Sequence, residues 1–267
     1  MSIAEVHEFA KAIIMEAGER IRSSFSEKWV IETKADANDL VTNIDRETEL
    51  FFIEKIKTFD STHKILGEEG MGEKIDSIDG VVWIIDPIDG TMNFIRQHRN
   101  FAITIGVYIN GIGKLGYIYD VMRDQLYYAK QGQGAYMNEV PLKPLQAISL
   151  NKAIIGLNAT WVTPNKRIEH EPMIDLVHKV RGTRSYGSAA LEIVSVACGR
   201  MDAYISLRLS PWDIAGGVVI ANEVGAIASN LKNEPINLLK QDTFIVANPT
   251  IHSEIIDDYI QLKNENK

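Results

Sequence analysis

The segment Val81-Val82-Trp83-Ile84-Ile85-Asp86-Pro87-Ile88-Asp89-Gly90-Thr91 decides how the rest of the chain is read. An apolar run ends in two acids three positions apart. Pro87 fixes its own φ and pushes Asp86 into extended geometry, while Gly90 is free to take positive φ and let the backbone fold back. The sequence therefore predicts a buried strand, a forced turn, two carboxylates aimed at one point, and a helix opening near Thr91. Such an arrangement suits a hard cation, which takes one or two carboxylates and a carbonyl such as that of Ile88 and keeps other positions for water and phosphate. The amides of Gly90 and Thr91 can hold phosphate oxygens. Taken alone, Asp-Pro and Asp-Gly are also ordinary turn dipeptides.

On either side of this segment the chain falls into two textures. Before it, Ser2 and Glu5 form a capping-box pattern, and Ile3, Val6, Ala10, Ile13, Ala17, Ile21 and Phe25 recur at helical spacing. A second helix is expected over Asp45 to Phe59, with Leu50, Ile53 and Ile56 on one side. Short apolar or alternating runs at Lys64 to Leu66, Val81 to Ile85, Phe101 to Ile109, Ile112 to Tyr119 and Gln125 to Ala129 read as strands of a mainly antiparallel sheet. After Pro141 and Pro144 strands alternate with helices: strands over Ala153 to Leu157, Asp202 to Ser206 and Phe244 to Ala247, and helices over Glu169 to Val180, Ser188 to Gly199, Pro211 to Val224 and Ile251 to Leu262. We expect an N-terminal α+β unit over residues 1–142 with a mainly antiparallel sheet and most of the candidate metal ligands, and a C-terminal α/β unit over residues 143–267 supplying Asp213 and substrate contacts. No internal repeat is visible.

Two further acidic sites stand out. Gly67-Glu68-Glu69-Gly70 follows an apolar run and reads either as a solvated loop or as a ligand. In Pro211-Trp212-Asp213, Pro suits the first helical position and Asp complements the helix dipole, so Asp213 is either a cap or a ligand. If Glu68, Asp86, Asp89 and Asp213 meet in one cleft, each like-charged pair near 4 Å costs about 4 kcal/mol at an effective dielectric of about 20. Bound cations would remove that cost, and two of them about 3.5–4 Å apart suit in-line phosphoryl transfer.

Composition bounds the alternatives. The 267 residues are 45% hydrophobic and 24% charged, enough to bury roughly three quarters of the unfolded surface. With 28 Lys+Arg against 36 Asp+Glu and a net charge of -8, neither a nucleic acid nor a membrane headgroup is an expected partner. The apolar run Phe101 to Ile109 is about half of the roughly 20 residues that span a bilayer. One cysteine, Cys198, excludes an internal disulfide. It is expected in the core, and the chain is expected to be a soluble cytoplasmic protein. Gly111-Ile112-Gly113-Lys114-Leu115-Gly116 matches a dinucleotide fingerprint, but it lies between two strand patterns and reads as a hairpin. Asp36 to Val41 does not fit a helical calcium loop, since Val41 stands where glycine is required. Covalent routes lack a candidate nucleophile: Asp86 and Asp89 are spaced wrongly for an aspartyl phosphatase, only Gly199 separates Cys198 from Arg200, and no Gly-x-Ser-x-Gly elbow occurs. The six histidines include no pair at metal-ligand spacing, which argues for Mg²⁺ or Mn²⁺ over Zn²⁺.

Taken in order, Asp39-Leu40-Val41-Thr42 with Asp45, Gly67-Glu68-Glu69, Asp86-Pro87-Ile88-Asp89-Gly90-Thr91 and Trp212-Asp213-Ile214-Ala215-Gly216-Gly217 resemble the lithium-sensitive, Mg²⁺-dependent inositol monophosphatase family over nearly the whole chain. The resemblance implies a layered αβαβα sandwich of the inositol monophosphatase and fructose-1,6-bisphosphatase type, commonly a homodimer, acting on a small phosphorylated metabolite. It further implies that Glu68, Asp86 and the Ile88 carbonyl hold one Mg²⁺, that Asp86, Asp89 and Asp213 hold a second, and that Glu68 with Asp89 holds a weaker third. Thr91, leaning on Asp45, would orient the attacking water with help from Glu68. Lys34 would lie on a mobile loop covering the site, and Gly187-Ser188-Ala189 would meet the hydroxyl-bearing part of the substrate. The family's inositol enzymes often carry an acid where Ser206 stands, with Arg208 two residues on. An arginine there suits a second anionic group, so an NADP phosphatase or a sugar or nucleotide bisphosphatase stands beside inositol monophosphatase. A regulatory binding protein with incidental phosphatase activity is the alternative of another class.

Overall fold

The computed structural model describes residues 2–33 and 40–263; Lys34, Asp36 and Asp39 lie outside the described residues. Helix α1 (Ile3–Ser24) opens on the expected capping box: Glu5 N donates to Ser2 Oγ and Ser2 N to Glu5 Oε2. Val6, Ala10, Ile13, Ala17 and Ile21 are buried along it. A two-stranded antiparallel ribbon, β1 (Ile31–Thr33) with β2 (Leu40–Thr42), leads to α2 (Asn43–Phe59). The buried stripe of α2 corrects the expected one. Leu50 is 40% exposed, and the buried face runs instead through Asp45, Thr48, Glu49, Phe52 and Ile56. Ile56 is buried and Ile53 packs against the core, but the stripe is rotated away from Leu50 toward Asp45 and Glu49.

The first sheet contains β3 (Lys64–Gly67), β4 (Val81–Asp89), β5 (Ala102–Ile109), β6 (Ile112–Asp120), β7 (Gln125–Lys130), β8 (Ala135–Met137) and β9 (Val140–Pro141), in that spatial order. Only β3 and β4 pair in parallel. The glycine-rich fingerprint is the predicted hairpin: Ile109 and Ile112 pair across Asn110-Gly111, both at positive φ. β4 is buried on both faces, which explains its nearly unbroken apolar character. Trp83 and Ile85 join a core with α1 and α2, while Val82 and Ile84 face α5 (Ala189–Ala197) and α6 (Pro211–Glu223).

A second sheet has the order β11 (Gly182–Arg184), β10 (Ile154–Leu157), β12 (Ala203–Leu209), β14 (Asp242–Ala247), β13 (Ile227–Ser229), with β11, β10 and β12 parallel and the rest antiparallel. Its outer face packs Ile155, Ile205 and Ile245 against Met173 and Leu176 of α4 (His170–Lys179) and Ile255 of α7 (His252–Tyr259). Its inner face sets Phe244 and Val246 against Ile193 of α5 and Ile214 and Ala221 of α6. The layers are therefore helix, sheet, helix, sheet, helix, as expected. The last helix stops at Tyr259, short of the expected Leu262, which instead bridges to Ile168. Cys198 caps the C-terminal end of α5, half-buried, and packs at the edge of the core rather than inside it, so the expected full burial is not met. Among the described residues no helix is long and apolar enough to cross a membrane.

The middle helical layer sits close to the first sheet because glycine permits it. A Cβ on Gly216 of α6 would lie 2.7 Å from Tyr117 O, 2.8 Å from Ile105 O and 2.8 Å from Thr104 Oγ1. Two of these are backbone atoms of β5 and β6 that cannot rotate away. Gly216→Ala is expected to cost about 1–3 kcal/mol or more by overpacking. The urea midpoint should fall with an unchanged m-value, and an unshifted midpoint would contradict this account of the packing.

Candidate active site

The turn expected after Ile85 is a bulge. β4 continues to Asp89, but the pairing with β5 slips, so that Asp86 faces Thr104 and Asp89 faces Ala102. Pro87 has no N–H to give the ladder, which favours the irregularity there. The slip has a chemical effect. Residues three apart point to opposite faces of a regular strand, and one extra residue turns them to the same side. Asp86 and Asp89 thus both reach the middle helical layer, and each offers a carboxylate oxygen to a group of three with Asp213, all within 4.8 Å of one another.

Every member of this group is held by fixed donors. Asp86 is 1% exposed and accepts Ile88 N at 2.9 Å. Asp89 accepts Ala190 N at 2.8 Å, Ala189 N at 3.2 Å and the Ser188 hydroxyl, so the start of α5 grips it. Asp213 caps α6, accepting Ser210 N at 2.7 Å. The cap reading of Asp213 is met, and it leaves the residue within the acidic group, so capping and a place in the cluster are compatible. Burial pushes the Asp86 carboxyl well above the usual range, and the charges of Glu68, Asp89 and Asp213 push the same way. Burial raises Asp89 to about 6 against the pull of its hydrogen bonds to Ser188 and Ala190.

Glu68 enters at the end of β3. Gly67 pairs with Ile85, and Glu68 N donates to Ile85 O at 3.3 Å, so Glu68 emerges alongside Asp86. Beyond the bulge, Gly90 takes φ 95° and opens α3 (Thr91–Gln97), the helix expected near Thr91. Thr91 Oγ1 lies 3.2 Å from Asp45 Oδ1 and 3.1 Å from Ile88 O, either of which can accept its proton. Asp45, 1% exposed, also accepts Thr42 N at 2.9 Å. Burial lifts its carboxyl to about 6.

Of the remaining candidates, Gly187, Ser188 and Ala189 meet this centre directly. Gly187 and Ser188 pack over Gly90, with Gly187 O 3.1 Å from where a Gly90 Cβ would stand. Ser188 and Ala189 are both engaged with Asp89. Ser206 is buried in β12, its hydroxyl 3.2 Å from Arg208 O, and Arg208 is exposed. Lys34 lies outside the described residues.

Three side chains near the site were not singled out from the sequence. Asn93 Nδ2 ties Tyr186 O and Asn100 O together at 2.7 and 2.8 Å. Glu192, buried on α5, accepts Tyr186 N and carries a carboxyl raised by burial to about 7. Glu49, fully buried on α2, accepts Glu69 N and Met71 N. An acid inside the apolar run Leu191 to Ala197 was the visible signal for Glu192, and an acid one turn after Asp45 was the signal for Glu49.

A family model for the inositol monophosphatase family matches residues 2–263. An inositol-1-monophosphatase of Bacillus subtilis is 55% identical over 259 residues, covering 97% of this chain and 98% of that protein. The staphylococcal SaIMPase-II has been solved with inositol monophosphate bound, at 44% identity and TM-score 0.86 over 96% of this chain and 93% of that one. It has also been solved with 2'AMP bound, at 47% identity and TM-score 0.88 over 96% and 94%. An IMPase/NADP phosphatase complexed with Mg²⁺ and phosphate aligns at 27% identity and TM-score 0.89 over 98% and 99%.

Raised carboxyl pKa values mean that the metal-free fold is stabilised while these acids hold protons, fully so below about pH 4 and progressively less as pH rises through the folded values. Asp86→Asn removes that burden and keeps an oxygen for Ile88 N. In EDTA at pH 7.5 the variant should melt a few degrees above the parent, and the gain should shrink as pH falls toward 4. A variant that melts lower at pH 7.5 would contradict the electrostatic account.

Proposed function

This chain belongs to the inositol monophosphatase family, and we propose that it hydrolyses small phosphate monoesters with Mg²⁺, inositol monophosphate first among them, without a phosphoenzyme. The observation that carries the reading is the all-carboxylate group of Asp86, Asp89 and Asp213 within 4.8 Å. Its donor set is oxygen throughout, as Mg²⁺ prefers, and burial makes the acids costly to ionise without a cation. Asp86, Asp89 and Asp213, with Glu68 and the Ile88 carbonyl beside them, would hold two or three ions. Bound there, Mg²⁺ would neutralise phosphate charge and ease ionisation of the attacking water.

The chain's own groups supply orientation. Thr91 Oγ1 donates a hydrogen bond to Asp45 or to Ile88 O, which leaves its lone pairs to accept one from water. Glu68 stands ready to take part in holding that water. The amides of Gly90 and Thr91 at the head of α3 would hold phosphate oxygens, and Gly187 to Ala189 would border the alcohol. Ser206 and Arg208 would shape the far end of that pocket.

A second reading, a phosphatase for NADP or a bisphosphate, is favoured by Ser206 where an acid often stands, with Arg208 two residues on, and by the 2'AMP bound to a close relative. Side-by-side kcat/KM values for inositol 1-phosphate, NADP and fructose 1,6-bisphosphate separate the two. A preference for inositol phosphate that survives Arg208→Ala supports the first, and a preference for NADP that Arg208→Ala abolishes supports the second. The same proposal includes a homodimer in the cytoplasm, checked by sedimentation and cell fractionation. It also includes a division near residue 142, between the strands of the first sheet and those of the second.

Phosphate release should require Mg²⁺. Asp86→Asn and Asp213→Asn should each lower it by about 100-fold or more, since even residues behind the ligands commonly cost 10–100-fold. Thr91→Ala should lower kcat by about 10²–10⁴, the range for a lost proton-handling group. Absence of Mg²⁺-dependent release from every monoester tried would overturn the function.

A further inference from the structure

Asp45 and Glu49 stand one turn apart on the inner face of α2, and both are carboxylates with almost no exposed surface, 1% and 0%. Asp45 reaches Thr91. Glu49 reaches the loop after β3: its Oε2 accepts Glu69 N at 2.7 Å and its Oε1 accepts Met71 N at 2.8 Å. Both bonds come from backbone donors, which cannot rotate away, and they bracket the backbone immediately after Glu68.

The loop is shaped to bring the carboxylate in. A Cβ on Gly67 would lie 2.4 Å from the Glu49 carboxyl carbon and 2.5 and 2.6 Å from its oxygens, so only glycine leaves room. A Cβ on Gly72 would lie 2.7 Å from Ile65 O, which shows how tightly the loop returns to β3. Glu68 is the residue caught between these constraints. On one side its N–H is tied to Ile85 O of β4, and on the other its neighbour Glu69 is tied to Glu49.

We propose that Glu49 is a positioning residue of the metal site: by holding the Glu69 and Met71 amides it fixes where Glu68 stands relative to Asp86 and Thr91. Through Asp45 the same helix face holds Thr91, so α2 acts as a gauge between the two groups that would handle the attacking water. Glu49 itself touches neither metal nor substrate. The inference rests on the metal-site reading given above, and Mg²⁺ binding measured by calorimetry keeps its test independent of turnover.

The experiment compares the full-length parent protein with Glu49→Gln, Glu49→Asp and the exposed control Glu47→Gln, each checked by circular dichroism. The amide of Glu49→Gln keeps one acceptor and turns a donor toward the other N–H. It should raise the Mg²⁺ concentration for half-maximal binding and for half-maximal activation by about 10-fold or more. The effect on kcat should exceed that on KM for inositol 1-phosphate. Glu49→Asp should fall between, and Glu47→Gln should match the parent. A folded Glu49→Gln with parental Mg²⁺ binding, whatever its melting temperature, would overturn the proposal. If Glu49→Gln does not fold, Gly67→Ala presses on the same carboxylate from the other side. It should give the same rise, and a parental Mg²⁺ response there would overturn the proposal equally. A parent that binds Mg²⁺ but releases no phosphate would sink the function while leaving the calorimetric comparison valid.

Discussion

Repulsion among the carboxylates at the end of β4 is the constraint on which the other features depend. Asp86 and Asp89 are buried beside Asp213 and Glu68, and in a medium of low dielectric such a group is unstable unless fixed dipoles face it. The fold supplies those dipoles largely from the backbone. Ile88 N serves Asp86, Ala189 and Ala190 N serve Asp89, Ser210 N serves Asp213, and Thr42 N serves Asp45. Backbone donors cannot swing away, so each oxygen's direction is set before any ligand arrives. That rigidity is what a site acting by orientation and charge needs.

The placement of the donors explains the layered architecture in turn. α5 and α6 lie between the two sheets, and each begins at the cluster, α5 with Ser188 on Asp89 and α6 with Asp213. Helix starts carry partial positive charge. Two of them aimed at one buried anionic group offset part of its self-repulsion. The close approach of α6 to β5 and β6 at Gly216 then sets the distance between Asp213 and the bulge of β4.

Much of this was legible in the sequence because particular residues leave the chain little choice. Pro87 marks the irregular backbone between the acids, Gly90 the opening of α3, Ser2 and Glu5 the first cap, and Asn110-Gly111 the hairpin. The bulge itself was not legible. Proline announces a departure from regular geometry but does not say whether the strand ends or slips by one residue. The strands β1, β2, β8, β9, β11 and β13 have two or three residues each, too few for any periodicity, and tertiary pairing alone defines them. The inner face of α2 was only partly legible: an apolar count finds Ile53 and Ile56 but takes in the exposed Leu50 and places acids outside. Asp45 and Glu49 are inside for reasons that lie in other segments, at Thr91, Glu69 and Met71. The motif order carried the identity of the cluster, whereas its distances depend on β3 and β4 lying in parallel register, which no local pattern encodes.

Asp213 belongs to a helix synthesised long after β4, and this gives the site a temporal aspect. A nascent chain that has completed the first sheet possesses Asp86 and Asp89 without α5, α6 or their amides. Until those helices dock, the two acids lack the donors and the third carboxylate that make up the group, so a hard cation has only a partial set of ligands to bind. The full group of three carboxylates exists only once α6 has docked. Because a ligand that binds only the native state stabilises it by mass action, an ion held by this group would favour docking of α5 and α6 onto the first sheet, so that occupancy of the site and cohesion of the chain's two halves are linked.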